Sequence, residues 1–177
     1  MDSLLIHIEN IDRMVNQWAS TIHTPLLDKI MFLATSAGEF LPMTILSILI
    51  FLLLILLKRR NFIAPYFVAI PGGFGLMNLL KYLFGRERPP DAAFHVTGYS
   101  FPSGHAMMST IILLFILVAF TENIKKTLLR IIFFLLIAGA ILLISFSRIY
   151  FNVHWLSDVI GGIVLGIIWL GVSLSLK

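Results

Sequence analysis

Five apolar runs dominate the chain, each near the ~20 residues that the hydrocarbon core of a bilayer requires. They fall at residues 41–57, 62–84, 105–121, 131–149 and 158–176. Inside lipid every backbone N–H and C=O must be satisfied within the segment, so runs of this length fold as helices. The fold predicted is an all-α, multi-pass transmembrane helical bundle. With 177 residues, the chain has room for one membrane-embedded domain over 1–177 and for no soluble module beside it. Only 12% of the residues are charged, against about 25% in a soluble domain.

The N-terminal stretch reads differently. Leu4, Ile8, Ile11, Val15 and Trp18 recur at helical spacing, with Glu9, Asp12 and Arg13 between them. This pattern predicts an amphipathic helix over 1–22 lying in the membrane interface. The acidic residues and His7 also break any apolar core of a secretory signal. Residues 24–40 carry Asp28, Lys29 and Glu39 and are read as a short interfacial or re-entrant segment.

Composition excludes several classes. Cysteine is absent, which removes disulfides, thiolate catalysis and Cys-ligated metals. A net charge of +4 is too small to point to nucleic acid. The distribution of positive charge sets the orientation: Lys58, Arg59, Arg60, Lys125, Lys126, Arg130 and Lys177 all fall on one predicted side, which the positive-inside rule makes cytoplasmic. The loops at 85–104 and 150–157 then face outward.

Those outward loops carry three polar clusters. Lys81 precedes Arg86 and Arg88-Pro89; Phe101-Pro102-Ser103-Gly104-His105 opens the third run; Ser147-Arg148, His154 and Asp158 bracket the last loop. Charges placed beside lipid cost at least ~2.5 kcal/mol on insertion scales, so they need partners. Two readings fit each cluster. Lys81 and Arg88, two helical turns apart on a helix that Pro89-Pro90 end, either snorkel to water or bind an anion from one face; Arg86 fits snorkelling better, with Glu87 as a local ion-pair partner. Ser103 and Gly104 stand at a helix start, where Ser103 is an N-cap or part of an anion site. His105 is an interfacial histidine or a proton donor. Tyr99 and Phe101 are interfacial aromatics or a substrate rim, and Trp155 is an interfacial anchor. Asp158, four residues after His154, either caps a helix or fixes the imidazole tautomer so that the other nitrogen acts as nucleophile or base. Arg148 follows an apolar run and is too deep for a casual solvent charge. Together the clusters offer a nucleophile, an orienter, an acid and fixed positive charge, the ingredients of phosphoryl transfer. Carboxylates are few there, Glu87, Asp91 and Asp158, so a metal-free route is expected.

Two glycine patterns read as packing. Pro71-Gly72-Gly73 and Gly75 predict a kink or close contact within the second run, and Gly162 and Gly166 form a G-x-x-x-G contact face.

The three clusters, in order and with their internal spacing, resemble the motifs K-x6-RP, P-S-G-H and S-R-x5-H-x3-D of the type 2 phosphatidic acid phosphatase family. These are integral-membrane lipid phosphatases related to vanadium haloperoxidases. The resemblance covers roughly residues 24–176. It implies that His154 is the nucleophile, passing through a phosphohistidine, that Asp158 orients it, and that His105 protonates the leaving oxygen and then activates water. It implies further that Lys81, Arg88, Ser103, Gly104 and Arg148 hold the phosphate oxygens, with no metal and no cofactor. The implied partners are membrane lipids and a lipid phosphate or diphosphate: undecaprenyl diphosphate, phosphatidylglycerophosphate or phosphatidic acid. The implied location is a bacterial cytoplasmic membrane with the site on the extracytoplasmic side. Bacterial members of the family usually have six spans, so the expected count is five to six, a further span preceding residue 1 being one way to reach six. Three alternatives compete with this reading. A serine hydrolase built on Ser103, His154 and Asp158 lacks the G-x-S-x-G elbow and leaves the basic residues unexplained. A haloperoxidase is at odds with so apolar a chain. A non-catalytic binder or transporter of lipid phosphates would have no need of both His105 and His154.

Overall fold

A computed structural model describes residues 2–122 and 124–177; Met1, the first residue of the predicted 1–22 helix, and Asn123 lie outside the described residues. Among the described residues there are seven helices and no strand. They are α1 (Asp2–Ala19), α2 (Pro25–Ala37), α3 (Phe40–Leu56), α4 (Arg60–Phe84), α5 (Gly104–Thr121), α6 (Thr127–Tyr150) and α7 (Leu156–Leu174). The helices α4 to α7 are each long and apolar enough to cross a membrane, and α2 with α3 makes a fifth crossing if the bent pair is one span. The count is thus four to five, and only five reaches the lower end of the predicted five to six.

Local chemistry explains the helix ends. Thr24 caps α2 by accepting from the Leu27 N–H at 3.3 Å, with Pro25 in the first turn, where its missing N–H costs nothing. At Gly38 the chain bends by 52° into α3. The predicted segment at 24–40 is thus a 13-residue helix that packs against α6. The predicted kink at Pro71 is a π-helical stretch over Val68–Gly72 inside α4. Proline supplies no N–H, the turn widens, and the Trp169 indole donates to the Val68 carbonyl at 2.9 Å.

The helix α5 is central, touching α3, α4, α6 and α7. Its contact with α7 is close because Gly162 and Gly166 lie on it: a Cβ would fall 2.8 Å from the Ser103 carbonyl at the first and 2.9 Å from the Met107 carbonyl at the second. Behind this contact Ile50, Leu54, Phe62, Tyr66, Met107, Ile111 and Phe115 form the core. The buried Tyr66 hydroxyl bonds Ser47 Oγ at 2.8 Å, so the core leaves no loose phenol. Outward, Leu49, Leu52, Leu56, Phe134 and Leu136 are exposed, as lipid-facing side chains are.

The two ends of the bundle differ. At one end Glu122 joins Lys177 at 2.6 Å and Arg59 at 3.6 Å, gathering basic segments that the charge distribution assigns to one side. At the other end lie α1 and the loops 85–103 and 151–155.

The amphipathic helix α1 docks a mixed face, with Ala19 and Val15 in an apolar cluster against Ala106, Ile149 and Val159 beside two polar residues. Leu4, Ile11, Met14 and Trp18 face outward, whereas Asp12 and Asn16, one turn apart, are buried against the bundle. Where the surroundings are apolar, a buried polar pair such as this needs partners from the protein.

Candidate active site

The first motif does not stay on one helix. The helix α4 ends at Phe84, and Gly85 takes a left-handed conformation (φ +55°) that turns the chain. Arg88, preceding Pro89, is disfavoured from helix and lies in the loop. It nonetheless returns toward Lys81, because both are held by the same run of carbonyls. Lys81 Nζ donates to the Tyr99 carbonyl at 2.7 Å. Arg88 donates to the carbonyls of Gly98 at 2.9 Å, Tyr99 at 3.2 Å and Val153 at 2.8 Å.

The second motif sits where α5 begins. Ser103 is buried and its backbone N–H donates to the Asp158 carbonyl at 3.0 Å. Its hydroxyl makes no capping bond and has no partner among the described residues, so the N-cap reading of the side chain fails. No bond links it to His154 either, as a serine hydrolase would require. Gly104 packs close to Met77, where a Cβ would lie 2.9 Å from the sulfur. His105 Nε2 is 3.4 Å from Glu39 Oε1 and lacks an aligned partner. Phe101 packs against Phe84 in a tilted arrangement with ring centres 4.7 Å apart.

The third motif is the most buried. Arg148, at the end of α6, is 2% exposed. One of its nitrogens donates to Thr35 Oγ1, its Nε has no partner among the described residues, and its guanidinium lies 5.6 Å from the Phe94 ring centre. His154 precedes α7 rather than lying on it, yet Nδ1 is 3.4 Å from Asp158 Oδ2 and 3.2 Å from Ser100 Oγ. Ser100 in turn donates to that carboxylate. Asp158 Oδ2 also accepts from the Trp155 N–H at 2.9 Å, so the carboxylate caps α7 and holds the imidazole at once. Acceptors surround Nδ1 and a donor, Arg88 Nη1, lies 3.1 Å from Nε2. The tautomer follows: the proton sits on Nδ1 and the lone pair on Nε2. Burial pushes His154 down to about 3; its bond to Asp158 opposes this, and the charges of Arg88 and Lys81 add to it. The ring is therefore neutral near pH 7.

Lys81, Arg88, Gly104, His105, Arg148 and His154 line one cavity of about 340 Å³. The structure thus gathers residues of all three clusters around a single space. Beside it runs an apolar groove of about 370 Å³, lined by Met43, Ile70, Phe74, Met108 and Ile112 and sharing Glu39, Met77, Gly104 and His105 with the polar cavity.

Two further readings from the sequence are corrected. Arg86 does not snorkel: it bonds Asp158 Oδ1 and Asp12 Oδ2, both at 2.6 Å. Glu87 forms no ion pair among the described residues; its carbonyl accepts from the Trp155 indole at 3.0 Å. Sequence reasoning also misses Ser100, Thr35 and the buried role of Asp12. Asp12 and Asn16, polar residues at i and i+4 on an amphipathic helix, are the available signal.

Known proteins share this architecture. A curated relative, phosphatidylglycerophosphatase B of Bacillus subtilis (strain 168), is 29% identical over 175 residues, covering 91% of this chain and 80% of its own. The crystal structure of the transmembrane PAP2 type phosphatidylglycerolphosphate phosphatase from Bacillus subtilis matches with a TM-score of 0.73 at 22% identity, over 96% of this chain and 85% of that one. Aquifex aeolicus LpxE matches with a TM-score of 0.72 at 26% identity, over 93% and 94%. The family model of the PAP2 superfamily matches residues 62–177, the stretch that holds every residue lining the polar cavity except Glu39; the chain belongs to the PAP2 superfamily and is a membrane-embedded lipid phosphatase.

Proposed function

We propose that this chain is one membrane-embedded domain that hydrolyses the phosphate or diphosphate headgroup of a lipid through a phosphohistidine on His154, without a metal. The observation that carries the reading is the cavity where Lys81, Arg88 and Arg148 face a neutral His154 whose Nε2 lone pair points inward. A phosphate entering it replaces Nε2 as an acceptor for Arg88 and so frees the lone pair. Nε2 attacks phosphorus; the N–P bond forms as the P–O bond to the lipid breaks. His105 gives the leaving oxygen its proton. It then takes a proton from water, whose oxygen attacks phosphorus as the N–P bond breaks and phosphate departs. Asp158, with Ser100, keeps the proton on Nδ1 throughout. Lys81, Arg88, Arg148, Ser103 and the N–H groups at Gly104 take the phosphate oxygens, where charge is stabilised at a helix start.

The adjoining apolar groove supports a lipid, with its chain between α3, α4 and α5 and its headgroup in the polar cavity. Among undecaprenyl diphosphate, phosphatidylglycerophosphate and phosphatidic acid, the similarity to phosphatidylglycerophosphatase B favours phosphatidylglycerophosphate. The basic end at Arg59 and Lys177 argues for a cytoplasmic side there, which supports a site on the extracytoplasmic face of a bacterial membrane.

The test is phosphate release in detergent from all three lipids, with EDTA present. The native chain turns over, phosphatidylglycerophosphate giving the highest kcat/KM, and His154→Ala loses at least about a thousandfold, as removal of a nucleophile does. Abolition by EDTA overturns the metal-free route. No release from any lipid by the folded native chain leaves a binding protein.

A further inference from the structure

Outside the three motifs, one carboxylate is buried on a helix that contributes nothing to the cavity. Asp12 lies on α1 and is 1% exposed, a placement that costs several kcal/mol unless the charge is paired. Both of its oxygens are engaged. Oδ2 accepts from Arg86 Nη2 and from Ser157 Oγ, each at 2.6 Å, and Oδ1 accepts from the Ser157 N–H at 2.9 Å. The other end of the Arg86 guanidinium donates to Asp158 Oδ1 at 2.6 Å and to Ser157 Oγ at 2.6 Å. Arg86 is thus clamped between two carboxylates from distant parts of the chain.

The clamp divides the two edges of Asp158. Arg86 occupies Oδ1, while Oδ2 is left for His154 Nδ1, Ser100 and the Trp155 N–H. A carboxylate held at one oxygen only can rotate and exchange its edges; one held at both cannot. One turn further along α1, Asn16 donates to Asn152 Oδ1 at 2.5 Å and to the His154 carbonyl at 3.3 Å. The same helix therefore grips the backbone of His154 and, through Arg86, its carboxylate partner.

We infer that Asp12 and Arg86 are positioning residues for the phosphatase reaction, α1 acting through Arg86 to hold Asp158 in the one orientation that aims His154 Nε2 at phosphorus. The inference rests on the roles proposed above for His154 and Asp158. Neither Asp12 nor Arg86 lines the cavity that holds Lys81, Arg88 and Arg148. Their loss should therefore slow turnover and leave substrate affinity alone.

The test is a mutant cycle on the purified full chain in detergent, with short-chain phosphatidic acid as the probe and thermal melting recorded for every variant. Arg86→Gln is expected to lower kcat at least about tenfold with KM within about twofold, Arg86→Lys to recover part of the loss, and Asp12→Asn to lose about threefold. In an Asp158→Asn background, Arg86→Gln should cost less than about twofold, because the group through which it acts is already neutral. Equal losses in both backgrounds, or a loss confined to KM, overturn the inference. Should Arg86→Gln fail to fold, the cycle is run with Arg86→Lys, for which the same non-additivity is required. His154→Ala separates the two readings. Activity in that variant sinks the nucleophile assignment itself; an inert His154→Ala with additive Arg86 losses sinks only the positioning role.

Discussion

Residues 62–177 carry the three motifs, the cavity-lining basic residues, His105 and His154; residues 2–61 carry no motif and lie outside the stretch that matches the family. The two regions meet at the site in different ways. Apart from Glu39, the later region supplies the groups that face the cavity. The earlier region supplies groups that hold them: Thr35 on Arg148, Asn16 on the His154 carbonyl, Asp12 on Arg86, and Gly38 against the His105 ring. A residue that contacts phosphate must be of one chemical type at one place. A residue that holds it need only bring a suitable partner within reach, and any passing helix will serve. Motifs therefore collect in the later region, and support comes from the earlier one.

The sharpest way to break this division is at Gly38. A Cβ there would lie 2.6 Å from His105 Cδ2 and 2.8 Å from Ile144 Cγ2. Gly38→Ala, at a backbone conformation that alanine tolerates (φ −84°), pushes the imidazole aside. A displacement near 1 Å costs about a hundredfold in kcat, so a variant that still melts cooperatively and turns over normally would deny the N-terminal region any part in placing His105. A smaller effect is expected at Thr35. Thr35→Val removes the acceptor for Arg148, whose Nε is already without a partner among the described residues; an unsatisfied buried donor costs about 1–3 kcal/mol. The guanidinium then loses its fixed direction, and KM should rise about fivefold to tenfold. An unchanged KM would remove Thr35 from the site.

The mildest probe is pH. Burial holds the folded-state pKa of His154 at about 3, below the value of about 6.5 for a free imidazole. The folded state therefore favours the neutral ring. That contribution is complete above pH 6.5 and is lost as pH falls toward 3, because the unfolded chain takes up the proton first. Between pH 7 and pH 5 the loss is on the order of 2 kcal/mol. The melting temperature of the native chain should fall over that range, and His154→Ala should flatten the part that His154 contributes. An identical pH slope in both would place the His154 ring in water.

Much of the fold is legible in the amino-acid sequence. The runs at 105–121 and 158–176 correspond to α5 and α7 within two residues, because a span in lipid can satisfy its backbone only as a helix. The apolar run at 131–149 starts four residues later than α6, which opens at Thr127, since Thr127 and Arg130 hide the first turn. Lys81 and Arg88 pair as their spacing suggests, but for a different reason: the two-turn helical spacing does not exist, and the carbonyls of the loop at 97–99 bring them together. Arg86 resembles a snorkelling residue because its partners stand 72 and 74 residues away, beyond any local pattern.

Local sequence pattern is enough to define the helices α4 to α7 as membrane spans, the amphipathic character of α1, and the chemical type of the three polar clusters, all of which depend on side chains within a few turns of one another. Long-range packing sets which face of α1 docks, makes Asp158 both cap α7 and hold His154, and brings Asp12, 145 residues from Ser157, into the same network. The reason is electrostatic. A charge in an apolar environment must find a counter-charge or a donor, and composition shows that need without showing which distant residue will meet it.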